Sequence, residues 1–459
     1  MRFLDGLDNF GEFEMLTGEM TGFSSAGIRP GQERISRLLA LLGNPHEDIR
    51  SIQVLGTNGK GSTSAALEAI FLAGGMKAAL YTSPHLVSLQ ERLRIGGRHL
   101  SAGDWRAAWE RVRGAVLRDR GLGSDRPSFF EHFTAVCLVM MKEAAVDIAV
   151  IEAGMGGRYD ATTACRSGAA LINPIGMDHM QYLGPTLEAI AMEKFAAVRN
   201  GADAFYAGDD ESLIPLFLGA CETAGAVPHI LDSIARPSDI ECTLEGTVFS
   251  YEADGGEIGE TGRYGIKRLF TPLIGAHQAY NAARAVTALL VLKNKLPCLS
   301  FINPETIRRG LAGIDWPGRM EAVIRHGRPI VILDGAHNEH AMRALVSSLS
   351  CLSAASGQIA VGAVVFAAMR DKGISEMLGA LEKLKAPMYC AELPMDRSAS
   401  ASDIAGMAAR SQIAVKGVYP DPWEALEEAS LDVGHSGAVL CCGSLFLVGH
   451  LRRILKYGR

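Results

Sequence analysis

No apolar run in this 459-residue chain is long enough to cross a bilayer, so a spanning helix is excluded. The opening residues Met1-Arg2-Phe3-Leu4-Asp5 lack the uninterrupted apolar region of a secretion signal. Positive charge is not in excess. Lys and Arg number 45 against 51 Asp and Glu, a net charge of -6, which gives no general surface for nucleic acid or membrane. Net charge says nothing about a cleft, so a local basic patch for an anionic substrate stays open. Cysteine is scarce and scattered, nine residues without a Cys-x-x-Cys spacing, and adjacent Cys441-Cys442 sit in an apolar run that reads as core. That usage reads as a reduced, cytosolic chain. There is no internal repeat and no low-complexity segment. What remains, 48% hydrophobic and 21% charged residues, is ordinary for a globular protein, and the length suggests roughly two to four domains.

The stretch around which the chain is organised is Gly56-Thr57-Asn58-Gly59-Lys60-Gly61-Ser62-Thr63. The apolar run Ser51 to Leu55 precedes it, and Ser64 to Ala73 follows as a helix stopped by Gly74-Gly75. Strand, glycine loop and helix together make a phosphate cradle: glycines permit close backbone approach, and amides of the first helical turn face the anion. Lys60 adds charge for the outer phosphates. The loop departs from the usual pattern, because Gly61 separates Lys60 from the hydroxyl residues. The bland alternative is a plain glycine turn.

Further on, Gln32 to Leu42 predicts a helix whose Arg34 and Arg37 read as a solvated charged face. Ala78 to Tyr81 is a short strand, residues 104–118 a helix, and Ser128 opens another helix through Met141. Ser128-x-x-Glu131 is a capping box, so Glu131 has a structural explanation beside a substrate role. Val146 to Ile151 reads as a buried parallel strand with Glu152 at its carboxyl end. There it can hold the magnesium of a nucleotide, or be a solvated loop acid. His179, past the strand Ala169 to Asn173, can be a metal ligand, a phosphate contact or a surface histidine. Lys194 falls on the apolar stripe of the next helix, with Leu187, Ile190, Ala191 and Val198. An inward ammonium costs several kcal/mol (order of magnitude) unless it is paired or neutralised. Residues 234–268 read as a small β excursion, and Gly275 enters a helix through Leu292 in which Asn281 can contact a ligand or cap. A boundary is expected near Trp316, giving domains 1–315 and 316–459. Beyond it strands at 330–333, 359–366, 386–391 and 437–442 alternate with helices, implying a second, mostly parallel sheet.

The set of motifs resembles the folylpolyglutamate synthase/dihydrofolate synthase family of the Mur ligase superfamily. It comprises Gly56 to Thr63, Thr82 to Leu86, Glu91-Arg92-Leu93-Arg94-Ile95 and Glu152 to Thr162. It continues through Asp178-His179, Glu193-Lys194, His277-Gln278 with Asn281, Trp316 to Arg319, Asp334 to Asn338, Asp371-Lys372 and Gly443-Ser444-Leu445. The resemblance runs over nearly the whole chain. It implies an α/β fold, a P-loop-type N-terminal domain with a mostly parallel sheet and a smaller Rossmann-like C-terminal glutamate-ligase domain. It implies ATP-dependent ligation of L-glutamate to a folate or dihydropteroate carboxylate through an acyl phosphate, in a cytoplasmic monomer.

Carried over by position, Thr57, Asn58, Gly59, Lys60, Gly61, Ser62 and Thr63 look like the ATP loop, joined by Asn281, Arg319 and Asp334. Ser83, Glu152 and His179 look like magnesium ligands. Lys194 looks like a lysine carbamylated by carbon dioxide to hold a second metal, and a monovalent cation is a further expectation. Lys60, His179 and Lys194 are the catalytic expectations. Phe129, Phe130, Glu131, Arg158 and Asp160 fall in stretches bordering the pterin, and His337 and Ser444 look like glutamate contacts. Three positions depart from the family pattern: Tyr159 and Thr163 stand where Leu and Asn are usual, and Gly373 where Asp is usual. A cell-wall precursor ligase and an ATP-hydrolysing switch are the rival readings.

Overall fold

Unbroken runs of buried side chains at Ser51–Leu55, Ile148–Glu152, Ala169–Ile172 and Asp203–Tyr206 are what a parallel sheet covered on both faces requires. The computed structural model describes residues 10–258, 262–356, 360–435 and 437–458. Residues 1–5, residues 259–261 of the expected β excursion and residue 359 at the start of an expected strand lie outside them. The strands are Ser51–Leu55 (β1), Ala78–Tyr81 (β2), Leu93–Ile95 (β3), Arg98–His99 (β4), Ile148–Glu152 (β5), Ala169–Ile172 (β6), Asp203–Tyr206 (β7) and Val227–Ile230 (β8). They form one eight-stranded sheet in the order β4-β3-β2-β5-β1-β6-β7-β8. The run from β2 to β8 pairs in parallel, while β3 and β4 add an antiparallel edge.

Two cores flank this sheet. One gathers Trp105, Trp109, Phe133, Val136 and Val139 with Tyr81 and Ile151; the other gathers Ile190, Phe195, Tyr206 and Phe217 with Leu55 and Ile172. Ala235–Thr243 (β9), Gly246–Asp254 (β10) and Arg263–Thr271 (β11) make a three-stranded sheet. The remaining strands are Glu321–Val323 (β12), Ile330–Leu333 (β13), Val361–Phe366 (β14), Met388–Ala391 (β15), Val415–Tyr419 (β16) and Ala438–Cys442 (β17), ordered β12-β13-β17-β14-β15-β16. All pair in parallel except β12 with β13. The chain thus has the expected α/β class, with two mostly parallel sheets. It divides into two compact units, Met1–Arg236 with Tyr251–Ile266 and Asn281–Asp315, and Pro237–Ser250 with Lys267–Tyr280 and Trp316–Arg459. Two stretches read from sequence as part of 1–315 therefore group with the C-terminal unit.

Not every sequence expectation holds. Arg34 is not on a solvated face: its side chain is only 10% exposed and Nε donates to Glu131 Oε2 at 3.2 Å. Arg37, 56% exposed beside Asp119, is the solvated one. Asn281 does not cap, since the helix is Ala276–Lys293 and Asn281 lies in its second turn. Val198 falls beyond the end of the helix Leu187–Phe195.

The motif Glu91–Ile95 includes a structural tie. Arg94 on β3 donates to Glu68 on the helix Lys60–Ala73, both side chains nearly fully buried, and its Nη1 reaches the Asp315 carbonyl at 3.0 Å. Removing one member of such a pair leaves an uncompensated charge, at a cost of about 3–5 kcal/mol. Glu68→Ala should therefore lower stability by about that much in denaturant unfolding, whereas Glu68→Leu combined with Arg94→Met should recover most of it. A single-variant loss below about 1 kcal/mol would show that the pair does not secure this helix to the sheet edge.

Candidate active site

Because β2, β5, β1 and β6 are neighbours and run in parallel, their carboxyl ends emerge side by side. Ser83 follows β2, Glu152 ends β5, the Gly56 loop follows β1 and Asn173 follows β6. This edge, where the chain leaves in different directions, is where open α/β sheets bind ligands.

Glycine is demanded twice in the loop. Gly56 has φ +130 and a Cβ there would lie 2.8 Å from Asn173 Cβ; Gly59 has φ +81 and its Cβ would lie 2.6 Å from Asn281 Oδ1. Asn173 was not foreseen from the sequence. Fully buried, it donates from Nδ2 to Thr63 Oγ1 at 2.9 Å and so ties β6 to the first helical turn. Thr57 N donates to the Pro174 carbonyl at 2.9 Å, and Thr57 Oγ1 donates to the Gly176 carbonyl at 3.0 Å. These bonds hold the loop's shape; the amides of the first turn of Lys60–Ala73 point outward from it.

Two ammonium groups meet at one atom. Lys60 Nζ donates to the carbonyls of Gly56 and Thr57 at 3.2 Å each, and Lys194 Nζ donates to the same Gly56 oxygen at 2.9 Å. Lys194 is 4% exposed, and no carboxylate among the described residues pairs with it. Burial, then repulsion from Lys60, pulls its amine from 10.5 down to about 7, against weaker support from Asp178 and Asp160. The pairing with a distant carboxylate that sequence reasoning entertained is therefore absent.

Glu152 is buried, and one of its oxygens accepts from Ser83 N at 3.2 Å. One carboxylate beside a hydroxyl residue suits magnesium or manganese, which keep most of their shell for water and phosphate oxygens. Among the described residues no three His, Cys, Asp or Glu side chains form a complete protein cage, so this donor set fits an ion shared with a nucleotide. His179 adopts φ +52 before the short helix Met180–Leu183; its N donates to Asp178 Oδ1 at 2.9 Å and its Nε2 lies 3.9 Å from Asp178 Oδ2.

The stretches expected to border a pterin are built as follows. Ser128 caps Phe129–Glu143 and receives its capping box from Glu131, so the structural explanation of Glu131 holds. Phe129 stacks on Phe133 with centroids 6.0 Å apart, and Phe130 lies 6.2 Å from Tyr81. Asp160 is buried and caps the next turn, accepting from Met155 N at 2.8 Å and Thr162 N at 3.0 Å. Burial pushes its carboxyl up, against those bonds. Arg158 is half-exposed and pairs with Glu193 at 2.9 Å. In the C-terminal unit, Asp334 accepts from Met320 N and Ala336 N at 2.8 Å each; burial raises its carboxyl while Arg319 opposes the rise. His337 Nδ1 donates to the Gly335 carbonyl at 2.8 Å, and Ser444 caps Leu445–Tyr457 by accepting from Phe446 N at 3.1 Å.

A glycine loop on a parallel sheet edge, with lysines and a metal-suited carboxylate around it, is the site of a nucleotide-binding α/β enzyme. The models of the Mur ligase middle domain and of the Mur ligase, glutamate ligase domain match residues 124–289 and 318–445. The chain is 31% identical over 431 residues to dihydrofolate synthase/folylpolyglutamate synthase of Bacillus subtilis (strain 168), spanning 94% of this chain and 96% of that one. Escherichia coli FolC in complex with DHPP and ADP superposes with a TM-score of 0.82 at 28% identity, over 96% of this chain and 97% of that one. The Yersinia pestis bifunctional folylpolyglutamate synthase/dihydrofolate synthase complexed with AMPPNP and Mn ion gives a TM-score of 0.80 at 30% identity, over 96% and 98%. The chain belongs to the folylpolyglutamate synthase/dihydrofolate synthase family.

The Lys194 geometry fixes a sign. Between pH 7 and 10.5 the unfolded chain holds a proton at Lys194 that the folded chain has lost, so raising pH across that window favours folding. In carbon-dioxide-free buffer, the stability advantage of Lys194→Met over wild type should shrink by roughly 1–3 kcal/mol from pH 7 to 9.5. An advantage that is constant with pH would mean that the amine titrates normally.

Proposed function

We propose that this chain uses ATP to join the amino group of L-glutamate to the carboxylate of a dihydropteroate or folate acceptor. The observation that carries the proposal is the convergence of Lys60 and Lys194 on Gly56 beside the Glu152 carboxylate. It concentrates positive charge where a terminal phosphate would sit, and no carboxylate among the described residues forms an ion pair with either lysine. The glutamate ligase domain match and the DHPP and nucleotide complexes of relatives supply the substrate class.

A carboxylate is a poor acyl donor. Its oxygen attacks the γ-phosphorus, the bond to ADP breaks, and an acyl phosphate forms. The amine of glutamate then attacks the acyl carbon, phosphate leaves, and the nitrogen loses a proton. The protein's part in the first step is positioning and charge neutralisation. The loop from Thr57 to Thr63 cradles the phosphates with the amides of Gly59, Lys60, Gly61 and Ser62, and Lys60 turns from the Gly56 and Thr57 carbonyls to the transferred group. Ser83, Glu152 and His179 would hold a divalent ion, magnesium in the cell, which when bound screens the phosphate charge. Asn281, Arg319 and Asp334 are assigned to the nucleotide, Phe129, Phe130, Glu131, Arg158 and Asp160 to the neighbourhood of the pterin, and His337 and Ser444 to glutamate.

Lys194 is assigned a carbamate. A buried amine with a lowered proton affinity can add to carbon dioxide. The N–C bond forms, a C=O electron pair moves to oxygen and the nitrogen releases a proton to solvent, leaving an anion that relieves the repulsion with Lys60 and can hold a second cation. The nine free cysteines agree with a reducing cytoplasm as the working compartment.

ADP release should require both a pteroate or folate acceptor and glutamate. Hydrolysis indifferent to either would favour the switch instead, and dependence on a nucleotide-sugar peptide the cell-wall ligase. Lys60→Ala should reduce glutamate-dependent ADP release by roughly 10²–10³-fold or more in a folded variant. Wild-type turnover in that variant would remove Lys60 from the chemistry. Wild type in bicarbonate should carry one added carbon dioxide by intact mass that Lys194→Met lacks; electron density for a bare amine at saturating bicarbonate would refute the carbamate.

A further inference from the structure

Part of the Glu91–Ile95 motif is unused by the reaction as described. Glu91 is spent on the preceding turn: its carboxylate accepts from Leu86 N at 2.7 Å and from Val87 N and Ser88 N at 2.9 Å each. That clamp fixes His85, whose Nδ1 accepts the Nε–H of Arg92 at 3.0 Å. The Arg92 guanidinium lies over the rings of Phe129 and Phe133, 5.7 and 5.3 Å from their centroids. Its two terminal nitrogens have no acceptor and no carboxylate partner among the described residues. Burial works against its charge, and Tyr81, Cys137, Glu91 and Glu152 oppose that in part. A stacked, pre-oriented fork with both terminal nitrogens uncommitted is built for a planar anion, and a carboxylate matches it with two parallel bonds.

The reacting carboxylate is the wrong guest. Its oxygen must be available to attack phosphorus at the loop, and a bidentate fork would occupy both oxygens and lower their nucleophilicity. A second, non-reacting carboxylate fits, held between the Glu152 end of the sheet and the aromatic wall of Phe129. A pteroyl acceptor that already carries glutamate has one beside the reacting group; pteroate has none. Resting on the ligase function proposed above, we propose that Arg92 binds the non-reacting α-carboxylate of a glutamylated pteroyl acceptor and that His85 positions it. Arg92 thereby sets the preference for extending a glutamate tail over adding the first glutamate.

The test compares kcat/KM for tetrahydrofolate and for dihydropteroate in wild type, Arg92→Gln, Arg92→Lys and His85→Phe. The ratio of the two should fall roughly 10–100-fold in Arg92→Gln through KM for tetrahydrofolate, and by a smaller factor in Arg92→Lys and His85→Phe. A ratio that moves less than about threefold, because both acceptors suffer equally or neither does, overturns the assignment. So does a wild type that glutamylates dihydropteroate alone. If Arg92→Gln does not fold, the charge-retaining Arg92→Lys carries the comparison. A wild type that turns over neither acceptor defeats the ligase reading itself. Arg92 is then judged by calorimetric binding of the two acceptors, where the same loss of preference in Arg92→Lys is expected and equal affinities in wild type overturn the proposal.

Discussion

The carbonyl oxygen of Gly56 receives two lysine amines, and the rest of the structure is arranged around that concentration of charge. Burying a cation is expensive, and the proton affinity of Lys194 falls first because it is buried and then because Lys60 lies beside it. The site therefore calls for anions from outside the polypeptide. In the proposed function the phosphates of a nucleotide answer for Lys60, and carbon dioxide captured as a carbamate answers for Lys194. The glycines, the helix start and Asn173 serve the same end by keeping the loop in the one shape that exposes its amides.

Sheet order does the delivery. Because β5 and β6 flank β1, with β2 beyond β5, four separate stretches reach one edge: the Ser83 turn, Glu152, the glycine loop and the Asn173–His179 segment. Each is anchored behind the edge by apolar side chains of the two cores. The Glu91–Ile95 motif shows how closely structure and function can share a short segment. Glu91 holds a turn, Arg94 ties β3 to the phosphate-loop helix, and Arg92 between them faces Phe129. Neighbouring residues of one short segment, a helical turn running into β3, thus serve three separate purposes, two of them structural.

Much of this is legible in the sequence wherever the signal is local. The strands Ser51–Leu55 and Ala78–Tyr81 have the residues their apolar runs predict, the loop declares itself by its glycines, and Ser128-x-x-Glu131 is a capping box by spacing alone. What spacing cannot give is the distant partner. Arg34 looks solvated until Glu131, far along the chain, takes its guanidinium. Asn173 looks like a strand end until Thr63 and Gly56 pack on it. Nothing in the spacing around Asp160 shows that its carboxylate accepts from Met155 N and Thr162 N and so holds the turns on both sides of it. The edge strand Val415–Tyr419 escapes notice because it alternates half-buried and exposed residues and carries Lys416 and Gly417, which weaken a strand pattern.

The most direct measurement is a crystal structure of the chain with a non-hydrolysable ATP analogue and manganese, recorded at the manganese absorption edge. The account predicts the triphosphate in the loop from Thr57 to Thr63 on the amides of Gly59 to Ser62, Lys60 swung off the Gly56 carbonyl onto the terminal phosphate, and an anomalous peak beside Ser83 and Glu152. A nucleotide bound elsewhere, with Lys60 still on the loop carbonyls and no peak at Glu152, would contradict it.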